Sequence, residues 1–470
     1  MTAIETSSKK NTLAFTSLKL RDGLFNNLET LGYNTMTPIQ AQSLPIMLKK
    51  QDVIAQAKTG SGKTAAFGLS ILNQLQVDSF AVQALILCPT RELAEQVAQA
   101  LRQLARLMPN VKILNLSGGM PMKAQLDSLR HSAHIIVGTP GRIKKHLDKE
   151  TLTLHKLKTL VLDEADRMLD MGFLPAMTEI VAFCPKARQT LLFSATYPVE
   201  IKKLSQDFMQ SPQRIIIEEA HTELHIEQIF YKVGHQSEKF DALKILLLHH
   251  QPLSTLIFCN TKEQTSQLAS KLRGEGFNAL ALNGDMEQEE RDLAIILFKN
   301  QSCSILVATD VAARGLDIKE LPAVVNFDLA FEQDSHIHRI GRTGRAGSKG
   351  LAISFATSKD GERLQAIEQD LKRKIAWGDV AVFAHSGNKI FAPEMVTLEL
   401  DVGRKDKIRP GDILGALTKD GGLDGKLIGK IDITPYDSYV AIHKSLVTKT
   451  LAFLKIGKLK GFSVKVRRLK

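Results

Sequence analysis

The stretch from Val53 to Thr64, Val-Ile-Ala-Gln-Ala-Lys-Thr-Gly-Ser-Gly-Lys-Thr, constrains this chain more than any other. Val53–Ala55 reads as a buried strand, Gly60 and Gly62 mark a tight loop, and the residues from Lys63 onward carry a helical apolar pattern. A strand running through a glycine loop into a helix opens an α/β unit, because parallel neighbours need a helical crossover. The loop also suits a polyphosphate. Its backbone N–H groups converge on anionic oxygens and the helix N-terminus adds positive potential, while Lys63 reaches the outer phosphates and the Thr64 hydroxyl ligates Mg²⁺. Lys58, Thr59 and Ser61 complete the turn, and Ala57 stands where the general pattern has its first glycine. A flexible loop alone could look similar; the strand before it and the helix after it favour the phosphate reading.

Up to about residue 360 the chain alternates short apolar runs with longer amphipathic stretches, in two series. The first places strands at 52–55, 84–88, 112–116, 135–137, 159–162, 190–193 and 214–217; the second at 226–232, 255–258, 279–282, 305–308, 323–326 and 350–355. The join falls near 218–224. After a helix at 359–374, residues 376–394 hold Gly378, Gly387 and Pro393 without clear periodicity and read as a linker. A third unit follows, with strands at 395–402, 426–433, 438–443 and 462–469 and helices at 411–417 and 445–455. That βαββαβ order fits a split-βαβ sandwich of the RNA-recognition-motif (RRM) type. The expected fold is α/β, with two tandem parallel-sheet domains over 1–217 and 218–375, a linker over 376–394 and an RRM-like domain over 395–470.

Composition narrows the partners. No run of the 470 residues approaches the ~18 apolar positions of a membrane helix. Cys88, Cys184, Cys259 and Cys303 lie far apart with no C-x-x-C, so neither a disulfide scaffold nor a zinc site is expected. The N-terminus has no apolar signal core, and a soluble, monomeric, cytoplasmic protein is expected. The net charge of +12 points to a polyanion. It is unevenly spread: residues 396–470 hold sixteen Lys and Arg against eight Asp and Glu, which leaves a surplus of only four for the rest.

Two more motifs carry chemistry. Leu160-Val161-Leu162 runs into Asp163-Glu164-Ala165-Asp166, so a buried strand ends on carboxylates in the domain that holds the glycine loop. Asp163 can hold Mg²⁺ through water and Glu164 can orient or deprotonate an attacking water; an acidic helix cap is the plainer alternative. In the second series His338-Arg339-Ile340-Gly341-Arg342-Thr343-Gly344-Arg345 gathers arginines able to reach a γ-phosphate.

Taken in order, these motifs resemble those of the DEAD-box RNA helicases, over nearly the whole chain. The resemblance implies two RecA-like domains and ATP with Mg²⁺. Phe15, Thr35 and Gln40 of Gly32–Gln40 would recognise adenine. Ala57, Lys58, Thr59, Gly60, Ser61, Gly62, Lys63 and Thr64 would hold phosphates, with Thr64 and Asp163 on the metal and Glu164 as base. Gly315 and Asp317 would contact the nucleotide, and Arg342 and Arg345 the γ-phosphate. Ser194, Thr196, His338 and Asp166 would couple ATP state to domain closure. RNA would meet Pro89, Thr90, Arg91, Gly118, Gly119, Thr139, Pro140, Gly141, Arg142, Arg291, Thr309 and Asp310 through phosphate and 2′-OH contacts.

The tail lacks the aromatics on which an RRM sheet stacks bases, Tyr439 excepted, which puts sheet-face binding in doubt. Its basic residues are Arg404, Lys405, Lys407 and Arg409 in the first loop, then Lys458, Lys460, Lys465, Arg467 and Arg468. In members of the family with such a tail, this domain recognises a hairpin of 23S rRNA in the peptidyl-transferase region. The resemblance therefore implies an RNA-stimulated ATPase that unwinds short duplexes locally during assembly of pre-50S particles. The alternatives are a non-catalytic ATP-gated RNA clamp or annealing chaperone, against which the intact Asp163-Glu164 pair argues, and a DNA translocase.

Overall fold

The computed structural model describes residues 14–57, 60–217, 226–313, 321–331, 333–344, 349–371, 374–383 and 389–469. They form two compact units, divided near residue 220.

In the first unit seven strands make one parallel sheet: β1 (Val53–Gln56), β2 (Ala84–Leu87), β3 (Ile113–Leu116), β4 (Ile135–Gly138), β5 (Thr159–Leu162), β6 (Gln189–Ser194) and β7 (Gln213–Ile216), ordered β3-β4-β2-β5-β6-β1-β7. The inner strands β2, β4, β5 and β6 are continuous apolar runs buried on both faces, as a parallel sheet between helix layers requires, while the edge strand β7 is mostly exposed. One core holds Phe67 and Leu101, from the helices Lys63–Gln74 and Arg91–Leu104; the other holds Ile143, Ile180 and Leu204.

The second unit carries a like sheet, β8 (Ile226–Lys232), β9 (Thr255–Phe258), β10 (Ala279–Leu282), β11 (Ile305–Ala308), β12 (Ala323–Asn326), β13 (Gly350–Ala356) and β14 (Trp377–Gly378), ordered β10-β11-β9-β12-β13-β8-β14. Strand β14 lies within the stretch read as a linker, whose described part is stitched to this unit. Trp377 and Gly378 pair with Phe230 and Tyr231, the Phe383 ring stacks 4.0 Å from that of His249, and the Gln251 side-chain amide donates to the Lys389 carbonyl at 2.6 Å. A Cβ at position 378 would stand 2.5 Å from the Tyr231 ring, so only glycine lets the segment come this close.

The C-terminal part of this unit is an antiparallel sheet, β16 (Ile428–Ile433), β17 (Ser438–His443), β15 (Met395–Leu400) and β20 (Val466–Arg468) in that order, backed by the helices Pro410–Gly415 and Val447–Ile456. The strand expected over 462–469 is interrupted: Phe462–Ser463 (β19) folds back on Lys458–Leu459 (β18), and β20 alone joins the sheet. Val396, Leu398 and Leu400 face the helices. The opposite face is covered too. Thr397 and Ala441, paired across β15 and β17, are 0% and 1% exposed. Thr397 Oγ1 accepts from Asn300 Nδ2 at 3.2 Å and lies 2.6 Å from Ser302 Oγ, at the C-terminal end of the helix Gln288–Lys299.

Replacing Thr397 by Ala strips these groups of a buried partner, which costs roughly 1–2 kcal/mol. Amide exchange in β15 and β17 should then quicken by about five- to thirtyfold; unchanged exchange would show that the contact does not hold the domain.

Candidate nucleotide and nucleic-acid sites

Both sheets are parallel, so the loops leaving their strands gather at one end, where α/β proteins place their sites. In the first unit the loop after β1 closes on Gly62, in the left-handed region at φ 98°; a Cβ there would lie 2.5 Å from Gln40 Nε2. Gln40 is buried, donating to the Gly62 carbonyl at 3.1 Å and accepting the Thr37 N–H at 2.9 Å, which ties the helix Pro38–Leu48 to the loop. Phe15 is buried, edge-on to the Tyr33 ring at 6.3 Å, and Thr35 is exposed. Lys63 is buried, and its ammonium donates to the Ala57 carbonyl at 2.9 Å. Lys58 and Thr59 lie outside the described residues.

Strand β5 delivers Asp163 and Glu164 to the same end, both almost wholly buried. Asp163 Oδ1 has no hydrogen-bond partner. Burial raises its carboxyl to about 7; the nearby Lys63 cation opposes this, and the carboxylates of Glu164 and Asp166 add to it. Glu164, at φ 52°, accepts from Arg167 at 2.8 Å. Asp166 is fully engaged, taking bonds from the backbone N–H groups of Ala195 (3.0 Å) and Thr196 (2.9 Å) and from the Thr196 hydroxyl (3.1 Å). Burial alone would raise its carboxyl, but the Thr196 N–H and the cations Lys63 and Arg167 hold it below the usual value. Carboxylate and loop thus share one buried site with Ser194, at the end of β6. The orphaned Asp163 Oδ1 and Ser61 Oγ atoms, beside Lys63, are what a phosphate and a hard cation would satisfy. Cys88, beneath the carboxylates, has its thiol pushed well up by burial first and by Asp163 and Glu164 next, which makes it inert.

The ends of β2, β3 and β4 form the other half of this edge. Thr90, beside buried Pro89, caps the helix Arg91–Leu104 by accepting the Leu93 N–H at 3.2 Å. Arg91 lies over Gly118, where a Cβ would be 2.9 Å from its Nε, and Gly119 has φ 84°. Thr139, Pro140 and Gly141 open the helix Pro140–Asp148, and Arg142 donates to the Met120 carbonyl (3.0 Å) and Gln125 Oε1 (2.6 Å). Burial and then the like charge of Arg91 push the Arg142 guanidinium down, a pairing of cations suited to a bridging anion. Gln125, which also contacts His146 at 3.0 Å, fixes Arg142; nothing in the sequence marks it, since it sits within an ordinary helical stretch.

In the second unit Thr309 and Asp310 follow β11. Asp310 forms two bonds, 2.7 and 2.6 Å, with Arg339, which is 1% exposed and also reaches the Asp328 carbonyl and Asn260. Arg339 is thus a structural clamp within the arginine motif. Arg291 donates to the Asn283 carbonyl at 3.3 Å, His338 lies on the helix Gln333–Ile340, and Arg342 is buried. Gly315, Asp317 and Arg345 lie outside the described residues, as does the Lys458 side chain.

In the C-terminal domain Arg404, Lys405, Lys407 and Arg409 are exposed on one loop. Lys460 joins them, donating to the Lys407 carbonyl at 2.9 Å, and Lys405 stands 4.0 Å above the Tyr436 ring. Lys465 and Arg468 are exposed, while Arg467 pairs with Glu399, which also accepts from Tyr439 at 3.1 Å. The centre of this sheet face, at Thr397 and Ala441, is thus covered, and the half-buried Tyr439 is tied by its hydroxyl to Glu399.

Sequence families match in the same order: DEAD/DEAH box helicase over residues 37–204, helicase conserved C-terminal domain over 238–347, and DbpA RNA binding domain over 397–468. The ATP-dependent RNA helicase DbpA of Escherichia coli K12 is 51% identical over 458 residues, spanning 97% of this chain and all of that protein. The chain belongs to the DEAD-box ATP-dependent RNA helicases. A second relative of this helicase, CshA of Bacillus cereus, is 42% identical over 77% of the chain and 69% of its own length. The structure of Saccharomyces cerevisiae Dbp5 bound to RNA and ADP BeF3 matches with a TM-score of 0.71 at 31% identity, covering 78% of this helicase and 96% of that chain. Among the described residues, no helix is long and apolar enough to cross a membrane.

The Asp163 carboxyl yields a test. Its folded pKa of about 7 exceeds the ordinary 3.8, so the nucleotide-free fold binds a proton that the unfolded chain has released. That stabilisation is complete below about pH 4 and lost as pH rises through 7. Asp163→Asn, which carries no charge, should therefore melt higher than the parent at about pH 8 and no higher near pH 4, by thermal denaturation without nucleotide. A variant that melts lower at pH 8 would contradict the assignment.

Proposed function

We propose that this helicase couples RNA-stimulated ATP hydrolysis to local separation of short RNA duplexes, and that its C-terminal domain directs it to structured 23S rRNA in cytoplasmic pre-50S particles. The observation that carries the catalytic part is the unpaired Oδ1 of the buried Asp163 carboxylate, set at the end of β5 in one buried site with Lys63. Gln40, Thr35 and Phe15 select adenine, and the loop from Ala57 through Thr64 holds the phosphates with Lys63. Magnesium, held by Thr64 and Asp163, neutralises phosphate charge when bound. Glu164, kept in place by Arg167, takes the proton of the attacking water. Arg342 and Arg345, with Gly315 and Asp317, serve the nucleotide from the second domain, and His338, Ser194, Thr196 and Asp166 relay its state. The bonds from Asp166 to Ala195 and Thr196 suit this last role, since they tie the carboxylate motif to the loop after β6.

For RNA, the Arg91 and Arg142 cations at the ends of β2 and β4 support phosphate binding, alongside Thr90, Gly118, Gly119, Thr139 and Gly141. Arg291 and Thr309 would continue the track, with Asp310 acting through its pairing to Arg339. In the tail, the exposed loop Arg404–Arg409 with Lys460 is the favoured contact, because the centre of the sheet face, at Thr397 and Ala441, is covered. The 51% identical DbpA and the matching DbpA RNA binding domain support the rRNA target.

Glu164→Gln keeps the size and a hydrogen-bonding group toward Arg167, so it should lower RNA-stimulated turnover by roughly 10²–10⁴-fold while ATP and RNA still bind. Lys63→Ala should weaken nucleotide binding itself. Steady-state phosphate release with parallel binding titrations checks both; full turnover by Glu164→Gln would sink the assigned base.

A further inference from the structure

The second unit carries a cleft that the motifs above do not use. About 480 Å³ in volume, it opens at the C-terminal ends of β8 and β13 beside β14, and is lined by Lys232, Thr357, Ser358, Leu364, Trp377 and Gly378 among others. Its size falls within the ~300–1,000 Å³ of small-ligand sites. Trp377 is 51% exposed, its ring set edge-on to buried Phe230 at 6.2 Å, so one part is anchored and another is presented to the cleft mouth. Lys232 is the charged residue of the lining and is exposed. A second aromatic stands nearby in the fold: Phe331 is 69% exposed, with the Arg363 guanidinium 4.7 Å from its ring centre. Arg363 lies in the first turn of the helix Gly361–Leu371, whose Gly361 and Leu364 line the cleft.

An exposed tryptophan sharing a cleft with an exposed lysine, and an exposed phenylalanine beside an arginine, are the composition of a sequence-tolerant stacking platform for single-stranded nucleic acid. The position fits such a strand. In the order β11-β9-β12-β13-β8, the cleft lies three to four strand spacings from the end of β11, where Thr309 stands, which at ~4.8 Å each is about 14–19 Å along the same end of one sheet. A single strand passing Thr309 covers that span in a few nucleotides.

We infer that this cleft binds one unpaired nucleotide of the RNA, its base stacked on Trp377 and its phosphate near Lys232. The site extends the RNA track and rests on the reading that this end of the second sheet faces RNA. It would hold a strand beyond the core contacts and favour substrates with a single-stranded extension.

Trp377 is the only tryptophan in the chain, so its fluorescence reports on this site alone. The full-length protein, with a non-hydrolysable ATP analogue, is titrated with oligoadenylate; binding is followed by anisotropy on labelled RNA, and Trp377 emission on unlabelled RNA. The expected result is quenching that tracks binding. Trp377→Ala should weaken binding roughly five- to tenfold, as loss of one base stack does, while Trp377→Phe, which still stacks, should retain most of it. Lys232→Glu should weaken binding and remove the quenching without changing the melting temperature. Binding by anisotropy with unmoved Trp377 emission and a neutral Lys232→Glu would overturn the inference, leaving the cleft to another class of partner while RNA binding by the core stands. No binding at all would overturn both.

Discussion

Burying a carboxylate with one oxygen left unpaired is expensive, and the first unit does so with Asp163 Oδ1 at the centre of its sheet. The neighbouring acid Asp166 shows the ordinary solution, three donors from the loop after β6, and its carboxyl stays low. Asp163 lacks them and rises to about 7. The rest of the site follows from that difference. Lys63 supplies the counter-charge, Arg167 holds Glu164, and Gln40 braces the loop against which phosphates would lie. A site so built leaves the Asp163 Oδ1 and Ser61 Oγ atoms unsatisfied, so any ligand that pairs them would also stabilise the fold locally.

The second constraint is the placement of the C-terminal domain. Its antiparallel sheet is packed on one face by its own helices and on the other by the end of the helix Gln288–Lys299, where Asn300 and Ser302 meet Thr397. The first turn of that helix carries Arg291, which the resemblance assigns to RNA. One helix therefore has Arg291 at its start and the tail domain packed at its end, and the described part of the segment between the two domains is anchored through β14, Phe383 and Lys389. The basic loop Arg404–Arg409 and the second parallel sheet thus belong to one compact unit.

Much of this was legible in the sequence, for identifiable reasons. Phosphate-loop glycines and the carboxylates after β5 are local patterns whose chemistry depends on neighbours in the chain. Strands buried on both faces give continuous apolar runs, so both parallel sheets could be read nearly residue by residue. What escaped depends on distant partners or very short elements. The pairing of Asp310 with Arg339, 29 residues away, has no signature in the sequence around either residue. The packing of Thr397 carries no local signal, because its partners Asn300 and Ser302 lie 97 and 95 residues earlier. Two-residue strands such as β14 and β18 carry no periodicity at all.

The central claim, that a tail held on the second domain directs an ATPase built around Asp163 and Glu164, is tested most directly by RNA-stimulated ATP hydrolysis. Rates are compared for a 23S rRNA fragment containing the peptidyl-transferase hairpin, poly(A) and an unrelated structured RNA, with the full chain and with a chain ending at Glu394. Strong stimulation by the rRNA fragment, lost on truncation, is the predicted result. Equal stimulation by every RNA, unchanged by truncation, would contradict it.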